Sequence, residues 1–186
     1  NGPMLTIEDH RRDSAGLRYV YPVVSRRAGG VSVGINLNVN NACNWACVYC
    51  QVPHLKRGGP LPVDLGRLDS ELRRFLDDAI HGDYLEKNAP PGARRLVDVA
   101  FSGNGEPTSA PELPTAIDCV ASALRDFGLH DRVLIRLITN GSLLHRLSVQ
   151  QAIARLGVLG GEVWFKVDAA TPGATARING VRLTSH

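Results

Sequence analysis

The sequence lacks the two kinds of segment that would bring a chain into a membrane or across one. No apolar run approaches the roughly 18 residues that a membrane-spanning helix needs. The sequence also has no basic start followed by an apolar stretch, which is the pattern of a secretory leader. We therefore expect a cytoplasmic protein without a membrane partner, in a compartment where thiols stay reduced.

Cysteine, lysine and methionine are all scarce. The four cysteines, three of which fall within eight residues, are not spread through the chain as in a disulfide framework. Of the 21 basic residues only three are lysines, and a net charge of +3 is too small to indicate a nucleic-acid partner by itself. Met4 is the only methionine and suits an initiator, so residues 1–3 are expected to be an expression remnant.

The rest of the sequence has the composition of an ordinary globular chain, with 44% apolar and 21% charged residues over 186 positions. Apolar periodicity predicts strands over 31–39, 96–101, 132–138 and 163–167, and helices over 64–80, 111–127 and 149–156. This alternation predicts an α/β fold with a parallel sheet and about four βα units within residues 31–186. Residues 1–30 show no clear periodicity and are interpreted as an irregular lead-in.

The first βα loop carries Cys43, Cys47 and Cys50 at the spacing C-x3-C-x2-C. Thiolates are soft ligands that select zinc or an iron–sulfur cluster over harder metals. A 4Fe–4S cluster normally takes four cysteines, so a set of three leaves one iron open to another ligand. His54 follows Cys50 at C-x3-H, and a tetrahedral Cys3His zinc site is therefore an alternative.

The second βα loop is rich in glycine and carries one carboxylate. Gly103 and Gly105 allow the backbone to come close to a ligand. Glu106 supplies a carboxylate that could accept from an ammonium group, and Pro107 favours an extended backbone at Glu106. The alternative is a plain strand-to-helix loop in which Thr108 caps the helix.

The third and fourth strands also end in polar residues. Thr139 and Asn140 follow the third strand, where an Asn-Gly turn is the alternative to a ligand contact. Lys166 and Asp168 stand two residues apart at the fourth strand, so they are predicted to share one face. A lysine inside an apolar strand needs a partner, which is either Asp168 in a structural ion pair or a bound carboxylate. Cys119, in the second helix, is predicted to pack in the core.

These motifs fall, in this order, on the loops where such folds hold function, and they resemble the motifs of the radical S-adenosylmethionine (SAM) superfamily. The branch that the chain resembles is that of the wyosine-forming tRNA-modification enzymes, the 4-demethylwyosine synthase-like Fe-S oxidoreductases. Ser25-Arg26-Arg27, Gly34-Ile35-Asn36 and residues 176–180 carry this second resemblance. The chain departs from that branch in having no cysteine before Cys43, where those enzymes hold a second cluster.

The resemblance implies a partial (β/α) barrel, with about four units where the superfamily usually has six. It implies a 4Fe-4S cluster on the three clustered cysteines, and Lys166 and Asp168 as catalytic residues. It also implies that S-adenosyl-L-methionine contacts Tyr49, Gly103, Gly105, Glu106, Thr108, Thr139 and Asn140. The reduced cluster would then cleave SAM to a 5′-deoxyadenosyl radical that abstracts hydrogen from a substrate.

The implied partners are an electron donor such as flavodoxin or ferredoxin and a tRNA base as substrate. A peptide or small-molecule substrate is the alternative within the superfamily, and a non-catalytic zinc module is the alternative outside it. Completing the barrel would take a second copy of the chain, a further C-terminal segment or the lead-in folded across the gap.

Overall fold

The computed structural model describes residue 5, residues 16–25 and residues 29–182. The strands are β1 (Val20–Ser25), β2 (Gly30–Ile35), β3 (Ala42–Cys43), β4 (Lys56–Arg57), β5 (Leu96–Phe101), β6 (Leu134–Thr139) and β7 (Glu162–Phe165). The helices are α1 (Leu65–His81), α2 (Tyr84–Asn88), α3 (Leu113–Asp126), α4 (Leu147–Val158) and α5 (Pro172–Asn179). Two single 3₁₀ turns precede and follow β5, at Pro91–Ala93 and Pro107–Ser109.

Five of the strands form one sheet in the order β1-β2-β5-β6-β7. Strands β2, β5, β6 and β7 run parallel, and each connection between them contains a helix. The α/β class and the parallel arrangement predicted from the alternating pattern are therefore confirmed. The carboxyl ends of all four parallel strands meet at one edge of the sheet, so the loops that follow them lie together.

One hydrophobic core joins the sheet to the helices. Alternate residues of β2, β5 and β6 point into this core, among them Val33, Ile35, Val99, Phe101 and Leu137. Helix α1 contributes a stripe at helical spacing, formed by Leu68, Leu72, Phe75, Leu76 and Ala79. Fully burying one such leucine or phenylalanine contributes about 2–3 kcal/mol, so this layer fixes the sheet against its helices.

The predicted irregular lead-in contains a strand. β1 pairs antiparallel with β2, where the sequence analysis expected no regular structure over residues 20–25. The Tyr21 ring lies over Gly34, where an added Cβ would come within 2.1 Å of it. Pro22 argues against a strand in the sequence, and the apolar residues on both sides of it do not alternate with polar ones. β1 can contain this proline because it is an edge strand. Residues 1–4, 6–15 and 26–28 of the predicted lead-in lie outside the described residues.

The face of the sheet away from the helices is polar toward its amino-terminal end. Ser32 donates to the buried carboxylate of Asp98, and the same carboxylate pairs with Arg136. Arg136 also pairs with Glu162 at 2.8 Å and stacks over Trp164 at 4.7 Å from its ring centre.

Of the helices in the described part of the chain, none combines the length and hydrophobicity that a bilayer crossing requires.

Candidate functional site

A cavity of about 410 Å³ opens where the parallel strands end. Its volume lies within the roughly 300–1,000 Å³ of small-molecule sites. Four segments line it: the cysteine loop (residues 43–57), the glycine loop (residues 102–109), the turn after β6 and the segment after β7. The lining residues are Cys43, Trp45, Cys47, Tyr49, Cys50, Gln51, Val52, Leu55, Ser102, Gly103, Asn104, Gly105, Glu106, Ile138, Asn140, Lys166 and Asp168.

The cysteine loop is closed at its base by the short pair β3–β4. The N–H of Gly58 donates to the carbonyl of Cys43 at 3.0 Å, and the N–H of Lys56 donates to that of Asn41 at 2.8 Å. Asn41 holds a left-handed backbone (φ 58°), which asparagine adopts more readily than most residues. The two ends of the loop are thus fixed against each other.

All three clustered cysteines line the cavity as free thiols. Cys43 and Cys47 are half-buried, whereas Cys50 is exposed. Burial raises the pKa of the Cys43 thiol and outweighs the Trp45 N–H, which donates to the sulfur at 3.5 Å. A metal that binds here must displace the Cys43 proton, so binding is expected to tighten as the pH rises.

The three cysteine thiols suit a soft metal or cluster in their chemistry, but they are not arranged around a metal position. Among the described residues, no three His, Cys, Asp or Glu side chains are placed as a ready-made metal site. The three thiols nevertheless share one cavity, and soft sulfur ligands are what zinc or an iron–sulfur cluster requires. His54, the fourth ligand in the zinc alternative, is exposed and is not among the lining residues.

The two glycines of the glycine loop allow it to pack against the cysteine loop. An added Cβ at Gly105 would come within 2.1 Å of the Ala42 carbonyl oxygen, one residue before Cys43. At Gly103 (φ 140°) it would come within 2.4 Å of Asn36 Oδ1. Both positions line the cavity, and close approach to a bound ligand there remains a prediction.

Glu106 joins the glycine loop to the turn after β6. Glu106 is 3% exposed. Oε1 accepts from the Thr108 hydroxyl at 2.6 Å and from the Thr139 hydroxyl at 2.5 Å, and Oε2 accepts from the N–H of Asn140 at 2.8 Å. Thr108 and Thr139 are therefore partners of Glu106 behind the cavity wall, while Glu106 itself lines the cavity.

Asn140 connects the turn after β6 to the cysteine loop. Its amide nitrogen donates to Asn44 Oδ1 at 3.1 Å. Its side-chain oxygen accepts from both the N–H and the hydroxyl of Ser142, and Asn44 Nδ2 donates to that hydroxyl at 2.7 Å. Asn140 stands in an Asn-Gly turn, in which Gly141 adopts φ 74°, and it also lines the cavity.

The segment after β7 differs from the expectation for Lys166. β7 ends at Phe165, so Lys166 is an exposed residue beyond the strand rather than a buried charge within it. Its ammonium lies 5.1 Å from the centre of the Tyr49 ring, and among the ion pairs of the described residues none joins it to Asp168. A solvated lysine needs no buried partner, which removes the physical reason for the predicted pair.

Tyr49 and Asp168 are joined directly across the mouth of the cavity. The Tyr49 hydroxyl donates to Asp168 Oδ2. Burial raises the pKa of Tyr49, and the hydrogen bond to Asp168 raises it further. Burial alone would also raise the pKa of the Asp168 carboxyl, but hydrogen bonds from Tyr49 and Asn179, together with the positive charge of Lys166, outweigh it and the net pKa is lowered. The pair thus holds its proton on Tyr49 at neutral pH.

Helix α5 ends against the cysteine loop. Its carbonyls at Ile178 and Asn179 accept from the N–H groups of Val48 and Ala46 at 2.8 and 3.0 Å. The Asn179 amide is buried and donates to Cys47 Sγ at 3.2 Å. The short helix starts with Pro172 after the capping hydroxyl of Thr171 and stops at the left-handed Gly180.

Sequence reasoning assigned no site role to the buried asparagines that hold these loops. Asn36 Oδ1 accepts from the N–H of Asn104, and Asn38 Nδ2 donates to the Ala42 carbonyl at 2.9 Å. Five asparagines within residues 36–44 are the signal that could have indicated this network. Short amide side chains both donate to and accept from loop backbone, so such a cluster after a strand is typical of a constrained loop.

The sequence of the chain is similar to parts of two curated proteins. It is 31% identical over 159 residues to the UPF0026 protein MJ1312 of Methanocaldococcus jannaschii, a match that covers 85% of this chain and 42% of the relative. It is 26% identical over 148 residues to the GTPase Obg of Brachyspira hyodysenteriae, covering 77% of this chain and 18% of that protein. The chain thus spans less than half the length of either curated relative. No protein-family profile matches the chain, and no solved structure matches it.

Proposed function

We propose that this chain is the cofactor-binding part of a radical SAM enzyme. In this proposal Cys43, Cys47 and Cys50 hold a 4Fe-4S cluster and the remainder of the cavity holds S-adenosylmethionine. When bound, the cluster supplies the electron that cleaves SAM. The free thiols favour a reducing compartment such as the cytoplasm, with a flavodoxin or ferredoxin as electron donor.

One observation carries the proposal. Three thiols, two close-packed glycines, a carboxylate and an amide from three separate strand ends surround a single cavity. In the sequence, spacing indicated the three cysteines, whereas the glycines, the carboxylate and the amide were indicated by their place after predicted strands and by their resemblance to radical SAM motifs. Loops after parallel strands meet at one sheet edge in any such fold, so the support lies in what these loops carry: soft thiols, a carboxylate and an amide around a cavity of small-molecule size.

The winding of the sheet supports a partial (β/α) barrel. Strands β2, β5, β6 and β7 are neighbours in the same order as in the chain. Helices α1, α3 and α4 pack into the core on one face of these strands. A barrel winds in this way, whereas a doubly wound sheet reverses its strand order and carries helices on both faces.

Each group of lining residues has a separate part in the proposed binding of the cluster and SAM. The thiols supply the soft ligands, and the Tyr49 ring lies beside them on the cavity wall. Asn140 lines the cavity with its side-chain oxygen already accepting two bonds from Ser142 and one N–H donated to Asn44, which leaves one N–H of its amide for a ligand. Glu106 joins the glycine loop to the turn after β6 through its four hydrogen bonds, so its carboxylate lies at a fixed place on the cavity wall.

For the substrate we propose a tRNA base, because the chain resembles the wyosine-forming branch around residues 25–36 and 176–180. A peptide or small molecule is the alternative substrate class. The similarity to a GTPase adds no candidate function. None of the three lysines precedes Ser or Thr, so the sequence contains no P-loop motif.

Metal content tests the proposal against a zinc site. The purified chain should be reconstituted anaerobically with iron and sulfide, and iron, sulfide and zinc should be measured together with the absorbance spectrum. We expect a brown protein with about four irons per chain, since a 4Fe-4S cubane contains four. A colourless protein that retains one zinc and takes up no iron would contradict the proposal and support the zinc module.

Single cysteine variants sharpen the same experiment. Cys47→Ala should fail to hold a stable cluster, because the two remaining thiols of the loop leave a second iron without a protein ligand. The matched control is Cys119→Ala, since Cys119 packs against the core in α3 and does not line the cavity. Full iron incorporation in Cys47→Ala, or its loss in Cys119→Ala, would contradict the ligand assignment.

A further inference from the structure

The carboxyl end of α5 contacts the cysteine loop through backbone and side-chain hydrogen bonds. Asn179 is 1% exposed, and its amide nitrogen lies 3.2 Å from Cys47 Sγ and 2.9 Å from Asp168 Oδ2. One short side chain therefore contacts both a predicted cluster ligand and the carboxylate that binds Tyr49.

The backbone around Asn179 fixes the same contact. The Asn179 carbonyl accepts from the N–H of Ala46, the residue immediately before Cys47. Gly180 adopts φ 65°, and an added Cβ there would come within 2.9 Å of the Ala46 carbonyl oxygen. The loop thus passes directly over the helix end, with no room for a side chain between them.

We propose that Asn179 is the positioning residue of the cysteine loop. Its amide holds Cys47 in place and donates a hydrogen bond to the Cys47 sulfur. Under the proposed function, on which this second role rests, the donated bond raises the reduction potential of the bound cluster. Hydrogen bonds to ligand sulfur withdraw negative charge and so favour the reduced state. Asn179 is not among the residues that line the cavity, so it acts on a bound cluster through Cys47.

The first test uses the metal-free chain and needs no cofactor. Amide hydrogen exchange over residues 44–50 should be compared between the parent, Asn179→Ala and Arg177→Ala. We expect about tenfold faster exchange in Asn179→Ala, because losing one buried hydrogen bond weakens local closure by about that factor. Arg177 is exposed on the last turn of the same helix, so Arg177→Ala should match the parent.

One further measurement and one further variant complete this test. Exchange over β5 should be unchanged in Asn179→Ala, which shows that the rest of the fold is intact. If that variant does not fold, Asn179→Asp keeps the size of the side chain but replaces the donor to sulfur by a carboxylate. It should show the same faster exchange. Parent-like exchange over residues 44–50 in a folded Asn179 variant would overturn the positioning role.

The second test measures the reduction potential of the reconstituted protein by an electron paramagnetic resonance titration. The midpoint should be more negative in Asn179→Ala than in the parent and unchanged in Arg177→Ala. An unchanged midpoint in Asn179→Ala would overturn the role of the sulfur hydrogen bond. If the parent takes up no iron, the proposed function fails, and hydrogen exchange alone still decides whether Asn179 holds the loop.

Discussion

At the scale of single residues, the site depends on buried polar side chains that bind other parts of the protein. Glu106, Asn38 and Asn179 are each at most 3% exposed, and each joins two segments that are distant in sequence. Their hydrogen bonds hold the loops in the positions that create the cavity. A buried polar group is costly unless it is fully paired, so these positions should tolerate substitution poorly.

Glu106 gives the clearest stability prediction at this scale. Glu106→Ala should lower the free energy of unfolding of the metal-free chain by about 3 kcal/mol, because it leaves two hydroxyls and two N–H groups without their charged acceptor. Urea unfolding measures this change. Thr139→Val, which removes one of these bonds, should cost about 1 kcal/mol.

The control for Glu106 is Glu86→Ala, which removes an exposed carboxylate on α2. It should leave the unfolding midpoint within error of the parent. A Glu106→Ala chain as stable as Glu86→Ala would contradict the role of Glu106 as the joint between the two loops.

At the scale of elements, Glu71 attaches the lead-in to α1. Its carboxylate accepts from the backbone N–H groups of Arg18 and Tyr19 and pairs with Arg67 at 2.8 Å. Burial alone would raise the pKa of Glu71, but these three hydrogen-bonding groups outweigh it and the net pKa is lowered from 4.5. The stabilisation is therefore complete above the unfolded pKa and is lost as the pH falls through the lower folded value.

We predict that the parent chain loses more unfolding free energy between pH 7 and pH 3 than Glu71→Gln does. The variant has no carboxyl group to protonate at this position, so one acid-sensitive contribution is removed. Urea unfolding at the two pH values measures both differences. Equal losses in the two chains would show that Glu71 does not link folding to protons.

The elements also show what a sequence can predict and what it cannot. The four parallel strands and three long helices were predictable because periodic apolar residues face one core. β1 was not, because an edge strand with Pro22 carries no alternating pattern, and Lys166 was wrongly placed because the apolar run continues past the end of β7. Spacing identified the cysteines, whereas the contacts of Asn36, Asn38 and Asn179 join distant segments and leave no periodic trace.

At the scale of the whole molecule, the described sheet is open. β1 occupies the edge beside β2, so the lead-in strand covers the end of the sheet opposite β7 and does not close the gap next to β7. β7 is paired on one side only within the described residues. Its last residue, Phe165, is 51% exposed, and Val167, two residues further on, is 79% exposed. An unpaired strand edge with exposed apolar residues favours association.

We therefore predict that the chain of 186 residues associates with itself in a concentration-dependent way. Val167→Lys should weaken this association, because a charged side chain at the edge opposes strand pairing. Analytical ultracentrifugation measures it. Leu61→Lys, at an exposed leucine in the segment before α1, is the control and should associate like the parent. A parent chain that is monomeric at all concentrations, or an unchanged Val167→Lys, would contradict the role of this edge.

The proposed function requires that this cavity supports SAM cleavage. The most direct measurement is to incubate the anaerobically reconstituted chain with SAM and dithionite and to quantify 5′-deoxyadenosine by mass spectrometry. We predict that 5′-deoxyadenosine forms with the parent and with Cys119→Ala, and that none forms above background with Cys47→Ala. A reconstituted parent chain that holds a cluster but forms no 5′-deoxyadenosine, or equal formation in the Cys47→Ala chain, would contradict the account.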